Sequence, residues 1–126
     1  QSVDSIKLLN KINVCGKQNH RIINCLIQIK VSQEETKYGF SEKESISLLT
    51  SDYKNKYQYV NIKGIMGMAS FTNNTTKIQA EFRTLKNIYS LLKSEKYILS
   101  MGMSNDYKVA YKLGSNMIRI GSLIFN

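Results

Sequence analysis

The sequence predicts an α/β fold built on a parallel sheet, and three observations carry that prediction. Runs of β-branched and aliphatic residues alternate with segments of helical periodicity along all 126 residues. Neither a hairpin signal nor a single proline interrupts them, so consecutive strands are joined by helical crossovers. The third observation is the stretch from Ser100 to Phe125, which holds two short apolar runs, each followed at once by a small-residue cluster, Gly102-Met103-Ser104-Asn105 and Gly121-Ser122. Strand, Gly/Ser loop, helix, strand, Gly/Ser loop is a grammar suited to holding a phosphate with backbone N–H groups.

The first element is a helix capped by Asp4 or Ser5, with Ile6, Leu8, Leu9 and Ile12 on its apolar face, running out at Asn13 to Gly16. Ile22 to Val31 is a near-continuous apolar run, the pattern of a parallel strand buried on both faces. Alternation nevertheless sets Gln28 and Lys30 opposite Ile27, Ile29 and Val31, so the second face must meet something polar. A loop from Ser32 to Phe40 leads to a capping box, Ser41 to Glu44, and a helix carrying Ile46, Leu48 and Leu49. Ser51 to Gln58 reads as a polar, tyrosine-bearing turn. Tyr59 to Met68 is the second strand, where Gly64 and Gly67 mark close approach of another group to the backbone. After a polar cap at Asn73 to Thr76, the clearest helix of the chain places Ile78, Phe82, Leu85, Ile88 or Tyr89, and Leu92 at spacings of three and four. Tyr97 to Met101 is the third strand. Asp106 to Leu113 is a short helix closed by Gly114 at C′, and Asn116 to Ile120 is the fourth strand.

Four such strands fit either an open doubly wound sheet or half of a (β/α)8 barrel, which needs about 250 residues when complete. Periodicity leaves both open. In either case ligands bind beyond the carboxyl ends of the strands, at Ser32 to Gly39, Ala69 to Asn74, Gly102 to Asp106 and Gly121 to Asn126. Any one of these loops is ordinary turn and cap chemistry; the last two together make the candidate phosphate site. Arg119 stands in the last strand, alternating with Met117 and Gly121, and a buried arginine needs an acceptor. No carboxylate lies beside it in sequence, so a ligand is as good an acceptor as a protein group. Lys30 is a second ligand contact or a side chain reaching to solvent.

Composition excludes other classes. The formal charge of +9 is spread over lysines at helix faces and loops, with only Arg21, Arg83 and Arg119 as arginines, which reads as a solvated surface rather than a nucleic-acid face. No run approaches the roughly 20 apolar residues of a membrane span, and no basic-then-apolar leader is present, so a cytoplasmic protein is expected. Cys15 and Cys25 have no metal spacing and read as reduced thiols, Cys25 in a buried strand; His20 reads as a surface residue. A start at Gln1, with helical pattern following almost immediately, suggests a cut chain.

The stretch SMGMSNDYKVAYKLGSNMIRIGSLIF resembles the C-terminal signature of the YggS-like (proline synthase co-transcribed) pyridoxal phosphate homeostasis proteins. LIQIKVSQEETKYGF is similar to their mid-chain strand and loop, and IKGIMGM to the strand that follows. That family is in turn similar to the N-terminal barrel of alanine racemase. The resemblance implies that residues 1–126 form one α/β domain, the C-terminal half, about four βα units, of a PLP-binding TIM (β/α)8 barrel. It implies that Ser104, Gly121 and Ser122 hold the phosphate of pyridoxal 5'-phosphate, that Arg119 faces the pyridine nitrogen, and that Lys37 lines the site or a neighbouring regulatory position. An arginine there disfavours protonation of the ring nitrogen, weakening the electron sink of PLP chemistry, and the family is viewed as binding and distributing PLP without established turnover. The family's Schiff-base lysine belongs to a first strand outside this sequence; neither Lys30 nor Lys37 takes its place. The missing half is then supplied by further sequence, a second chain or self-association, because a half barrel leaves two sheet edges open. Two alternatives stand beside this reading: an amino-acid racemase-like PLP enzyme, for which Tyr38 and Tyr107 are the loop tyrosines, and a flavodoxin-like domain binding a nucleotide.

Overall fold

The structure, a computed structural model, describes residues 2–33, 38–94 and 96–119, the last of these through its backbone. Five parallel strands, β1 (Ser2–Val3), β2 (Ile23–Gln28), β3 (Val60–Met66), β4 (Ile98–Met103) and β5 (Met117–Arg119), lie side by side in chain order. Between them run α1 (Ile6–Gln18), α2 (Glu42–Leu49), α3 (Tyr53–Lys56), α4 (Thr75–Tyr89) and α5 (Tyr107–Lys112), with a 3-10 turn at Ser90–Leu92.

The strand order decides the architecture. A doubly wound sheet reverses its order at a switch point, so that helices cover both faces. Here each strand pairs with its sequence neighbour, and right-handed crossovers of that kind put every helix on the same side. The helices accordingly touch one another in a single layer, α2 against α4 and α4 against α5. This is the singly wound arrangement of a barrel wall, and it overturns the flavodoxin-like alternative.

The sheet's two faces differ as that arrangement requires. One row across four strands, Val3, Ile27, Ile65 and Leu99, is wholly buried (each 0 % exposed) against the helices, together with Leu9, Phe82, Leu85 and Ile88. The adjacent row, Gln28, Met66, Ser100 and Met117, faces away from the helix layer. On that side Asn61 Nδ2 donates to Asn24 Oδ1 at 3.2 Å, and both residues are exposed. β2 is therefore buried on one face only, not on both, and Gln28 and Lys30 point where alternation puts them.

Local chemistry explains the elements. Ser5 caps α1 by accepting from the Leu8 N–H at 3.1 Å. The helix continues through Gly16 to Gln18 rather than ending near Asn13, and Gly16 is where Arg21 and Tyr59 pack: a Cβ there would lie 2.9 Å from Tyr59 Cβ. The capping box forms as read, Glu44 N–H to Ser41 Oγ and Ser41 N–H to Glu44 Oε1, both 3.0 Å, and the Ser41 N–H holds the Glu44 carboxyl below its usual range. In α2, Leu48 and Leu49 are buried whereas Ile46 is exposed. The turn region after α2 contains the short α3, and the chain opens on β1; neither two nor four residues carry a detectable period. α4 is capped by Asn74 accepting from the Lys77 N–H at 3.2 Å and buries Ile78, Phe82, Leu85, Ile88 and Tyr89 as the spacing predicts, but it ends at Tyr89, so Leu92 falls in the 3-10 turn. Cys25 is buried, Cys15 and His20 are exposed, and both thiols are free. No helix among the described residues is long and apolar enough to cross a membrane.

Candidate functional site

The carboxyl ends of β4 and β5 form one end of the rim, and their positions are set from below. α5 closes in a Schellman motif: the Ser115 N–H donates to Ala110 O at 3.0 Å and the Gly114 N–H to Tyr111 O at 3.1 Å, with Gly114 at φ +103°. The next two residues stitch β5 to β4 with side chains. Ser115 Oγ lies 2.6 Å from Met101 O, 3.2 Å from Leu99 O and 2.9 Å from Met117 O. Asn116 Oδ1 accepts from the Leu99 N–H at 2.7 Å while its Nδ2 donates to Tyr97 O at 3.0 Å.

Pairing then runs from Ser100 opposite Met117 to Met103 opposite Arg119, so β4 advances one residue more than β5. The extra residue is accommodated around Gly102, whose φ of +106° and crowded surroundings (a Cβ would lie 2.7 Å from Ala110 Cβ) admit only glycine. This bulge brings the half-buried Ser104, next after Met103, beside the end of β5 where Arg119 stands. The loop is held by the buried Asp106, which accepts from the Met103 N–H at 2.6 Å while its own N–H donates to Met103 O at 3.1 Å. Tyr107 opens α5 beside it, and a depression lined by Ser104 through Val109 opens to solvent. No carboxylate neighbours Arg119 in sequence, yet the fold sets Asp106 in the adjoining loop.

The other half of the rim comes from the loops after β2 and β3. Phe40 folds back beside Ile29, its N–H donating to Gln28 O and its carbonyl accepting from the Lys30 N–H, both 2.8 Å, so the loop between them is pinned at its feet. Gln28 Nε2 adds a bond to Tyr38 O at 2.8 Å. Lys30 and Tyr38 are exposed. Beneath the rim lies a network that sequence reading missed: Ser70 donates its N–H and its hydroxyl to the two carboxylate oxygens of Glu81, each at 2.7 Å, and Ser32 Oγ lies 3.1 Å from Ser70 Oγ. The available signal was a glutamate on the apolar face of α4, one residue before Phe82. Of the residues singled out from the sequence, Ser104 and Arg119 are thus brought together at adjacent strand ends; Gly121, Ser122 and Lys37 lie outside the described residues.

Asn116→Ala tests the stitching. It leaves the Leu99 N–H without its acceptor, and an unpaired donor of this kind costs about 1–3 kcal/mol. The expected result is a fall of that size in urea denaturation, with faster amide exchange concentrated at β5; unchanged exchange there would show that pairing alone holds the strand.

Comparison with known proteins follows this geometry. A family model described as the alanine racemase N-terminal domain matches residues 1–126. A Helicobacter pylori (strain J99) protein named pyridoxal phosphate homeostasis protein is 34% identical over 124 residues, covering 98% of this chain and 55% of its own length. PipY of Synechococcus elongatus PCC7942, solved without PLP, superposes with a TM-score of 0.85 at 26% identity, over 98% of this chain and 59% of PipY. The same protein solved with PLP bound gives a TM-score of 0.79 at 24% identity, over 98% of this chain and 58% of PipY, a likeness of fold. The chain spans about half the length of the curated relatives it matches. Residues 1–126 match that family model from end to end, and the chain belongs to the alanine racemase N-terminal domain family.

Proposed function

We propose that this chain forms part of a pyridoxal 5'-phosphate-binding protein of PLP homeostasis acting in the cytoplasm, as one α/β unit equivalent to the C-terminal half of an alanine-racemase-like barrel. The reading is supported by the names of its relatives and carried by one observation: the bulge at Gly102 sets Ser104 beside the strand end that bears Arg119. The hydroxyl of Ser104, the described side chain of this set, suits a phosphate. Ser104 is half-exposed on an open depression.

In this proposal Ser104, Gly121 and Ser122 hold the phosphate through hydroxyl and N–H donors, and Arg119 donates to the pyridine nitrogen. Lys37, in the stretch after β2, lines the site or a neighbouring position. PLP, when bound, supplies an electron sink for bonds at an attached carbon, and an arginine at its nitrogen damps that capacity. The role that follows is holding the cofactor rather than turning over an amino acid. The lysine that bonds to the cofactor's aldehyde is not among these residues, so the contacts from this chain are non-covalent. A further βα half, in the same or another chain, completes the wall: the row Gln28, Met66, Ser100, Met117 faces away from the described helices, and β1 and β5 are free edges among the described strands.

Titration with PLP followed by borohydride reduction, on this chain and on an N-terminally extended form, tests the reading. The extended form is expected to yield one pyridoxyl-lysine adduct and the 126-residue chain none. A stable adduct on the short chain would overturn the assignment of the bonding lysine. Steady racemisation of an amino acid by the extended form would favour the enzyme alternative.

A further inference from the structure

We infer that Glu81 is the positioning residue of the cofactor rim: from α4 its buried carboxylate clamps the β3–α4 loop at Ser70 and, through Ser70, the β2–α2 loop at Ser32. The inference rests on the PLP reading for its functional consequence and on hydrogen-bond geometry for the clamp itself.

Glu81 is 8 % exposed, on the face of α4 that also buries Ile78, Phe82 and Leu85. A carboxylate is costly to place there unless directed donors satisfy it. α4 does not need it for its own sake, being capped by Asn74 and anchored in the core by Phe82, Leu85 and Ile88. The Glu81 carboxylate bonds outside its helix, reaching Ser70 eleven residues earlier through its N–H and its hydroxyl, each at 2.7 Å. Bidentate geometry fixes the backbone and the side chain of Ser70 together.

The direction of the chain of bonds follows from proton count. The Ser70 hydroxyl hydrogen is directed at Glu81 Oε2, so in the 3.1 Å contact between the two serines Ser32 is the donor and Ser70 the acceptor. The order Ser32, Ser70, Glu81 is a relay terminating on a carboxylate, the strongest acceptor of the three. Ser32 and Ser70 are 4 % and 2 % exposed, so water does not compete for these bonds. Ser32 opens the loop that contains Lys37, while the other foot of that loop is pinned by the Ile29–Phe40 bridge and by Gln28. Loss of Glu81 removes the bonds that tie Ser70, and through it Ser32, to α4. Ser32, at the start of the loop after β2, and Ser70, in the loop after β3, are thereby tied to a core helix as well as to each other.

The variants are Glu81→Leu, Glu81→Gln, Ser32→Ala and the pair Ser32→Ala with Glu81→Leu, with Ile88→Val as a control that loosens the core of the same helix without touching the relay. Amide exchange is read on this chain, and PLP dissociation by absorbance on the N-terminally extended form. Glu81→Leu is expected to accelerate exchange in residues 30–33 and 67–74 together and to weaken PLP about tenfold, the equivalent of one hydrogen bond. Glu81→Gln, which keeps one acceptor oxygen, falls between it and the parent. Ser32→Ala and Glu81→Leu combine less than additively, because both act through the Ser70 hydroxyl. Ile88→Val lowers the denaturation midpoint while PLP affinity stays at the parent value. If Glu81→Leu behaves like Ile88→Val, less stable but with parental loop exchange and PLP affinity, Glu81 is merely structural and the inference is wrong. If the parent extended form does not bind PLP, the cofactor reading fails, and coupled exchange of the two loops still decides whether the clamp exists.

Discussion

Gly64→Val is expected to cost the chain most of its folding stability. Gly64 follows the register shift at which β3 gains a residue on β2, and on its other side it pairs with Ile98 of β4. A Cβ at Gly64 would overlap the carbonyl oxygen of Ile98 and stand 2.5 Å from its amide nitrogen, both backbone atoms that cannot swing aside. Its φ of +156° adds to the resistance. Overpacking costs about 1–3 kcal/mol where side chains absorb it, and here only strand separation can, so a loss at or above the upper end, about 3 kcal/mol, is expected by urea denaturation. Gly67→Ala makes the comparison, because its crowding comes from the end of the Leu85 side chain, with Cδ1 at 2.5 Å, and should cost less than half as much. Equal losses at the two positions would mean that the β3–β4 seam is not tightly registered at Gly64. The seam also matters to function: the relay through Ser70 lies on one side of it and Ser104 on the other.

Ser104→Asp is expected to abolish PLP binding while leaving the fold intact. Ser104 is half-exposed on an open depression, so the added carboxylate is solvated in the free protein. Under the proposed assignment it would meet the cofactor phosphate. Two like charges about 4 Å apart repel by about 4 kcal/mol at an effective dielectric constant near 20, which corresponds to roughly a thousandfold in affinity. Ser104→Ala, which removes one donor without adding charge, should cost about tenfold. The measurement is PLP dissociation monitored by absorbance, with the denaturation midpoint as the check on folding. Binding within threefold of the parent for Ser104→Asp would place the phosphate elsewhere on the rim.

Much of the fold is legible in the sequence. α4 was readable because one helix face contributes five core residues at regular spacing, and a local period survives whatever the helix packs against. Gly114 was readable because a C′ residue with positive φ excludes nearly every other side chain. Gly64 and Gly67 announced close approach, and Ile98 and Leu85 are what approach them. Other features were not legible. β1 is too short to carry a period, and the bulge at Gly102 is defined only by its partner strand. Ser32, Ser70 and Glu81 are each unremarkable in sequence; Ser32 and Ser70 are 38 positions apart, and only strand pairing sets their loops together. Asn116 read as the start of a strand, whereas its amide takes the place of a ladder partner for Leu99 and Tyr97.

By itself the sequence determined that this chain is a parallel α/β protein with donor-rich loops at the carboxyl ends of its strands, because strand and helix periods, caps and turn glycines are local properties of the chain. The tertiary structure alone decided that the sheet is singly wound with one face turned away from the described helices, that Ser104 stands beside the strand end of Arg119, and that Glu81 bonds Ser70 in the loop after β3. Each of these depends on which strand hydrogen-bonds to which and in what register. That choice is fixed by packing a shared core between segments distant in sequence, and no local pattern records it.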